Sequence, residues 1–582
     1  MILRKSLVML MAVALLGAFA LACSEPEPNV VALNPSGQAA AGAADLVLRG
    51  GKIATVDADF SFQEAVAVEG DKIVYVGDND GVKSFIGPET KVIELEGALA
   101  LPGLVDAHAH LHSLGAELAN LDISPANSYE GIIALVAERA KEVKPGDWIL
   151  GGRWNHEAWE VKEFPIHDAL SAVSPDNPVY LRRVDGNSAF VNGKALELAG
   201  YTADTPDPEG GKIIRKENGA PTGVLVNRAM NPVLDLIPPM TDEEMARQFR
   251  MAIDDCVTVG LTGVHEAGIG PSQLELYKSM IDSGELKMRL NAMLGEQERP
   301  LYEQDFDMAA YFRQHRVVNY GGHEMLTLRS IKLFFDGALG SRGAAFYDEY
   351  ADAPGELGLF RISPEYIYRV SAAALEADML VATHCIGIRG NRACIDAYEK
   401  ALLENPKEDH RFRVEHAQIV RDEDIAKFAA LGIIPAMQPT HCTSDMSFVA
   451  KRVGDERAAG AYAWRKFMDA GLVIPAGSDF PVESNNPMLG IYAAITRQNA
   501  AGEPEGGWFP DQRMTREEAI RGFTSWAAYA SFQEDVLGSV EVGKLADFTV
   551  LDKDILEVEP QEILTAKALY TIVGGAVVYQ AK

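Results

Sequence analysis

Eight short apolar runs, each the length of one β-strand, alternate with helical patterns over most of this chain. No other feature limits its architecture as strongly. The runs occupy residues 104–108, 261–265, 288–294, 329–335, 380–384, 412–416, 433–437 and 473–478. Strands separated by helices pair in parallel, because a crossover helix returns the chain to the same end of the sheet. Eight such strands predict an α/β protein built on a (β/α)8 TIM-like barrel, here within residues 101–535. The step from the first run to the second is far longer than a crossover requires. A large insertion, residues 117–240, is therefore expected at the barrel mouth.

Both ends of the ordered chain read as strands with tight turns. Leu46-Val47-Leu48 and Lys52-Ile53-Ala54-Thr55-Val56 are joined by Gly50-Gly51, and Gly70-Asp71 separates two apolar runs as a hairpin turn does. Residues 546–551 and 570–579 repeat that style around Gly574-Gly575. Neither piece alone can bury a good core, so residues 45–100 and 536–582 are expected to join in one composite β-sandwich.

Metal-compatible side chains gather at the C-terminal ends of the candidate strands, the face on which such barrels carry their active sites. His108 and His110 lie two apart on the first strand and share one side of it. His384 and His416 end the fifth and sixth strands, and Asp479 follows the eighth. Asp479 suits both a metal ligand and the acceptor of a proton from an attacking water. Lys332 stands inside the apolar Ile331–Phe335 stretch. Two readings of it stay open: a lysine that snorkels or pairs with Asp336, or an amine neutralised by burial and N6-carboxylated into a metal-bridging ligand. His112 continues the alternation but falls beyond the strand. Softer candidates for substrate contact are Trp154, Asn155, Arg183, Asp185, Asn187, His265, Asp336, Arg342 and His441, all in Gly-containing or strand-end segments. Surface loops produce such segments freely.

These residues sit in recognisable company. Pro102 through His110 (PGLVDAHAH) resembles the opening motif of the amidohydrolase superfamily, and Gly543 through Asp552 (GKLADFTVLD) its closing strand. Ile331–Arg342, Glu415-His416-Ala417-Gln418, Gln438-Pro439-Thr440-His441 and Gly477 through Ser484 narrow the resemblance to the amidohydrolase-3 group, the YtcJ-like branch. It covers the chain from about Asp45 to the end. The resemblance implies one or two divalent ions, zinc the expected one, held by His108, His110, Lys332, His384, His416 and Asp479. It implies a metal-activated hydroxide attacking the carbon of an amide, N-acyl or N-formyl group of a small molecule, with Asp479 passing the proton to the leaving nitrogen. Ile388 stands where relatives tend to have Asp, and Asn187 where they often have His. Heterocycle deamination on the same scaffold and a non-catalytic, lipid-anchored binding protein are the alternatives. No ligand is missing, which weighs against the second.

The N-terminus points outside the cytoplasm. Arg4-Lys5 precede an apolar run from Leu7 to Leu21, the pattern of a secretory signal over residues 1–22. Cys23 after Ala22 resembles the lipid-acceptor Cys of bacterial lipoproteins, although Ala20 replaces the usual Leu, so simple cleavage is the alternative. A periplasmic or outer-membrane-anchored protein is expected, with any membrane contact through lipid on Cys23. Residues 23–44 have the Pro, Ala, Gly, Ser and Glu content of a flexible tether. Cys256, Cys385, Cys394 and Cys442 form no CxxC pair and are expected to be free. A formal charge of −31 excludes a nucleic-acid partner. A homo-oligomer is compatible with the chain.

Overall fold

The computed structural model describes residues 42–123, 125–156, 159–183, 188–295 and 306–582. The expected signal peptide, Cys23, nearly all of the tether, Asp185 and Asn187 lie outside the described residues.

The central sheet has seven parallel strands, in the order Leu104–Ala109, Leu261–Ile269, Arg289–Gly295, Leu326–Phe334, Leu380–Cys385, Arg413–His416 and Ile434–Ala436, with Val317–Tyr320 added antiparallel to Leu326–Phe334. The parallel strands are fully or almost fully buried, as strands covered on both faces must be. The expected eighth strand, residues 473–478, departs from prediction: it is extended but forms no ladder. Pro475 has no N–H to give, and a proline in that slot removes the donor a ladder needs. Single backbone bonds close the gap instead. On one side Met437 N–H donates to Pro475 O (3.0 Å) and Gly477 N–H to Met437 O (3.1 Å); on the other Ala107 N–H donates to Ala476 O (3.0 Å) and Asp479 N–H to His108 O (2.8 Å). The result is a nearly closed parallel barrel.

Both chain ends enter one second sheet, in the order Ala576–Gln580, Ala568–Val573, Phe548–Leu551, Leu99–Pro102, Leu46–Ala54, Phe62–Glu69 and Lys72–Gly77, with Lys91–Glu94 also paired to Leu46–Ala54. Gly50-Gly51 do not separate two strands as expected. One strand runs through them, with a register shift between Arg49 and Ile53. A single apolar cluster draws on both ends: Leu48, Val66 and Ile93 meet Phe548, Val550 and Ile572. This sheet docks on the N-terminal ends of the barrel strands. Leu104 N–H donates to Thr549 Oγ1 (3.1 Å), and the Arg289 guanidinium grips the Asp547 carboxylate at 2.6 and 2.7 Å in a buried bidentate pair. The opposite, C-terminal face of the barrel is left free for chemistry.

Between helix Leu111–Ala119 and helix Asp242–Thr258 the chain builds a third sheet, in the order Gly211–Arg215, Pro221–Asn227, Ser188–Val191, Val179–Arg183, Ile149–Trp154 and Leu121–Asp122. It has its own apolar clusters, one around Ile132, Trp154, Leu181 and Phe190 and another around Leu196, Leu225 and Val233. Cys256, Cys385, Cys394 and Cys442 are free and buried. Among the described residues no helix is long and apolar enough to cross a membrane.

Candidate active site

Six side chains converge where the barrel strands end. His108, His416 and Asp479 each offer a donor atom within 4.8 Å of the other two. His110 Nε2 lies 3.1 Å from Asp479 Oδ1, His108 Nε2 lies 3.2 Å from Lys332 Nζ, and the His384 and His416 rings meet with centroids 4.4 Å apart. His441 joins them, its Nε2 3.8 Å from Asp479 Oδ2 and its ring parallel to that of His416. The residues singled out in sequence as a metal set are thus brought together in space.

Two of them require unusual backbone. Neighbouring residues on a strand face opposite sides, yet Glu415 and His416 both turn toward the same centre. The break is at His416, whose φ of 71° is left-handed, followed by Ala417 at 41°. Asp479 likewise has φ 60°. Non-glycine residues in this region cost about 1–3 kcal/mol each and persist where surrounding contacts impose them.

Beneath the histidines lies a buried charged network. The His108 Nδ1 faces the Glu415 carboxylate. Arg413 donates to both Glu415 oxygens (2.7 and 3.1 Å), to Ala107 O (2.7 Å) and to His265 Nδ1 (2.9 Å). Burial opposes the charge on Glu415, but Arg413 and His108 outweigh it and hold the carboxyl well below the usual range. With Glu415 as acceptor, His108 carries its proton on Nδ1 and presents Nε2 to the centre. Asp106 accepts from the Ser478 N–H (3.0 Å), the Ser478 hydroxyl (2.6 Å) and the His108 N–H (3.1 Å), stitching the eighth segment to the first strand. Glu266 accepts from the N–H groups of Leu111 and His112, fixing the helix that starts right after His110. Burial raises Asp106 and Glu266 to about 7.

Burial pushes His384 and His416 well below the usual histidine range, and His108 down to about 4. All three are held as neutral imidazoles, the coordinating form. Burial likewise lowers Lys332 to about 8, within reach of a neutral amine. For Asp479 burial opposes ionisation, but the adjacent His110 and the neighbouring imidazoles outweigh it, keeping it a carboxylate. Both ring nitrogens of His384, His416 Nδ1 and His441 Nε2 are buried without a hydrogen bond. Orphaned buried nitrogens are costly, and a cation among them would supply the missing partner. The donor set therefore fits a divalent transition metal.

Several softer candidates lie elsewhere. Trp154 is 1% exposed in the insertion core, its indole N–H donating to Leu181 O, and has no surface to offer a substrate. Arg183 reaches Asn155 Oδ1 (3.3 Å) and His156 Nδ1 (3.4 Å) and lines a 360 Å³ cavity of the insertion with Arg153, Arg182 and Asp122. His265 is buried beneath the site as the acceptor of Arg413. Asp336 is fully buried and takes the N–H groups of Ala345, Ile386 and Gly387, each at 2.9 Å, so it braces the loops beside His384 and is closed to substrate. It is also not the partner of Lys332, whose close neighbour is His108. Arg342 is tied to Asp352 on an exposed loop. His112 packs on Phe249. Ile388 opens helix Ile388–Glu404 and is buried.

Sequence reasoning missed Asp106, Glu266, Arg413 and Glu415. A signal was present: each is a charge inside an apolar strand run, where an unpaired charge is prohibitive. Arg413–Glu415 and Asp106–His108 are moreover two apart, hence on one face.

The chain resembles known proteins over nearly its whole length. The Bacillus subtilis putative amidohydrolase YtcJ is 31% identical over 540 residues, covering 92% of this chain and 99% of its own length. The N-substituted formamide deformylase of Arthrobacter pascens is 28% identical over 548 residues, covering 92% and 98%. A crystal structure of an uncharacterized metal-dependent hydrolase from Pyrococcus furiosus superposes with a TM-score of 0.71 at 25% identity, over 88% of this chain and all of that one. With the amidohydrolase family profile (Amidohydro_3) matching residues 91–579, the chain belongs to the amidohydrolase family of metal-dependent hydrolases.

Proposed function

We propose that the protein hydrolyses the C–N bond of an N-acyl or N-formyl small molecule, with His108, His110, His384, His416, Asp479 and an N6-carboxylated Lys332 holding one or two zinc ions. The observation that carries this is the convergence of neutral, orphaned imidazole donors on a carboxylate and a buried amine at one end of the barrel. Imidazole and carboxylate donors together suit zinc. Bound there, the metal would act as a Lewis acid, polarising the carbonyl and acidifying water. The likeness to a formamide deformylase supports an N-formyl or related substrate.

The chain's own residues divide the remaining work. Lys332, with its amine lowered to about 8, would add CO2 in its neutral form, the new N–C bond forming as the nitrogen releases a proton to solvent, to give an anionic carbamate ligand. Glu415 keeps the His108 proton on Nδ1. Asp479, an anion at working pH, accepts the proton of the attacking water and returns it to the leaving nitrogen as the C–N bond breaks, giving an acid and an amine. His441, 3.8 Å away, is placed to orient Asp479.

The test joins metal analysis to a hydrolysis screen of formamides and N-acyl amino acids. One or two zinc ions per chain, with turnover lost on chelation and regained on adding zinc, are expected. Full turnover in a preparation shown to be metal-free overturns the mechanism. We further propose, from Arg4-Lys5, the apolar run and Cys23, that this chemistry takes place outside the cytoplasm on a lipid-anchored protein.

A further inference from the structure

Phe334 ends the fourth barrel strand, and its ring forms a wall of the site. It lies 5.1 Å from the His384 ring, and Lys332 Nζ stands 4.8 Å from its centroid. The same ring carries a second cation. The Arg361 guanidinium lies 5.3 Å from the centroid. Arg361 is exposed, and its backbone N–H is tied to Phe335 O (2.8 Å), which fixes the residue to the end of that strand.

Arg361 lacks an anion at this wall. The chain has 84 acidic side chains against 53 basic ones, and many of its arginines pair with a carboxylate. Arg342 and Arg452 share Asp352, Arg316 and Arg329 share Asp378, and Arg392 reaches both Asp396 and Asp424. Among the described residues Arg361 makes no ion pair and no side-chain hydrogen bond. Arg389 is in the same position: it lies 4.7 Å over Phe360, whose ring stacks on Phe335, and its Nε is buried without a partner. One cation without a counter-ion, Arg361, thus stands on the aromatic wall beside the metal-ligand set, while Arg389 lies on the ring system of Phe335, the neighbour that alternates to the other side. An arginine on an aromatic face is pre-organised to take a carboxylate through its planar fork.

We infer that the substrate bears an anionic group, in the simplest case a carboxylate, which Arg361 holds across the Phe334 ring from the histidine–aspartate cluster. The inference rests on the hydrolase reading and narrows it to acidic N-acyl compounds such as N-formyl or N-acyl amino acids. The long-range repulsion from a chain of net charge −31 does not exclude such a substrate, because fields are screened within about 8–10 Å at physiological salt.

The experiment compares an N-formyl amino acid with its carboxamide, using the zinc-loaded protein and Arg361→Gln. Wild type is expected to favour the acid, and Arg361→Gln to lower the acid-to-amide ratio of kcat/KM about 10- to 100-fold, the usual worth of a hydrogen bond to a charged group. A wild type indifferent to the acid, or a ratio unchanged in the variant, overturns the inference and leaves the hydrolase reading standing. If neither compound is turned over, the hydrolase reading fails for this class, and calorimetric binding of the acid decides the anion site. Weaker binding to Arg361→Gln than to wild type supports it. Equal binding, or none to either protein, overturns it.

Discussion

The site depends on single residues whose surroundings assign them different tasks. Asp479 and Lys332 separate most clearly. Asp479→Asn keeps size and one ligating oxygen but loses the proton acceptor, so metal content is expected to stay near wild type. Its kcat should fall about 10²- to 10⁴-fold, the worth of a positioned base. Lys332→Ala removes the amine that would carry the carboxylate. Loss of bound zinc is expected, measured by elemental analysis after gel filtration, with partial return in short carboxylic acids. A Lys332→Ala protein that holds zinc normally and turns over would leave Lys332 a structural lysine. Glu415 acts through His108 rather than on substrate. Glu415→Gln should weaken zinc binding about 10- to 100-fold in chelator competition. It should also destabilise the fold, because Arg413, 1% exposed, loses its counter-ion. Unchanged zinc affinity would show that His108 is oriented without it.

Among the elements, the eighth segment decides how tightly the site closes. It lies against the first strand so closely that a Cβ on Gly477 would meet His108 N at 2.5 Å and Asp106 Oδ1 at 2.7 Å. Both atoms belong to the strand that supplies His108, so neither can give way without moving a ligand. Gly477→Ala is therefore expected to cost about 1–3 kcal/mol, as overpacking does, and to release zinc more readily. Thermal denaturation with and without chelator measures both. A variant with wild-type melting and metal content would show that the segment can retreat freely. Pro475 explains why this element forms no ladder, and the Asp106–Ser478 bonds explain why it stays in place without one.

For the whole molecule the division of faces matters most. The sheet built from both chain ends covers the N-terminal end of the barrel through Thr549 and the Arg289–Asp547 pair, which leaves the opposite end for metal and substrate. The proposed export belongs to this scale too, since it would set the compartment in which the enzyme meets substrate. Mature protein made in a bacterial host should begin at Cys23 and label with radioactive palmitate, whereas Cys23→Ser should not. Labelling that survives Cys23→Ser refutes the lipid anchor at Cys23, and an unlabelled wild type refutes it too and favours plain secretion.

By itself the sequence determined the alternation that builds a parallel barrel, the hairpins at Gly70-Asp71 and Gly574-Gly575, and the residues that meet at the site. These are local matters: strand ends, turn residues and two-residue spacing can be read from neighbours along the chain. Tertiary structure decided the rest. The Glu415–His108 contact joins residues 307 apart, and the burial that lowers the Lys332 amine to about 8 comes from the barrel folded around it. Trp154, Asp336 and His265 look like site residues in sequence because polar and aromatic groups near strand ends serve cores and sites alike. Only packing shows that Trp154 fills the insertion, that Asp336 braces two loops and that His265 accepts from a buried arginine. Burial and partners are properties of the folded chain, and no short stretch of sequence carries them.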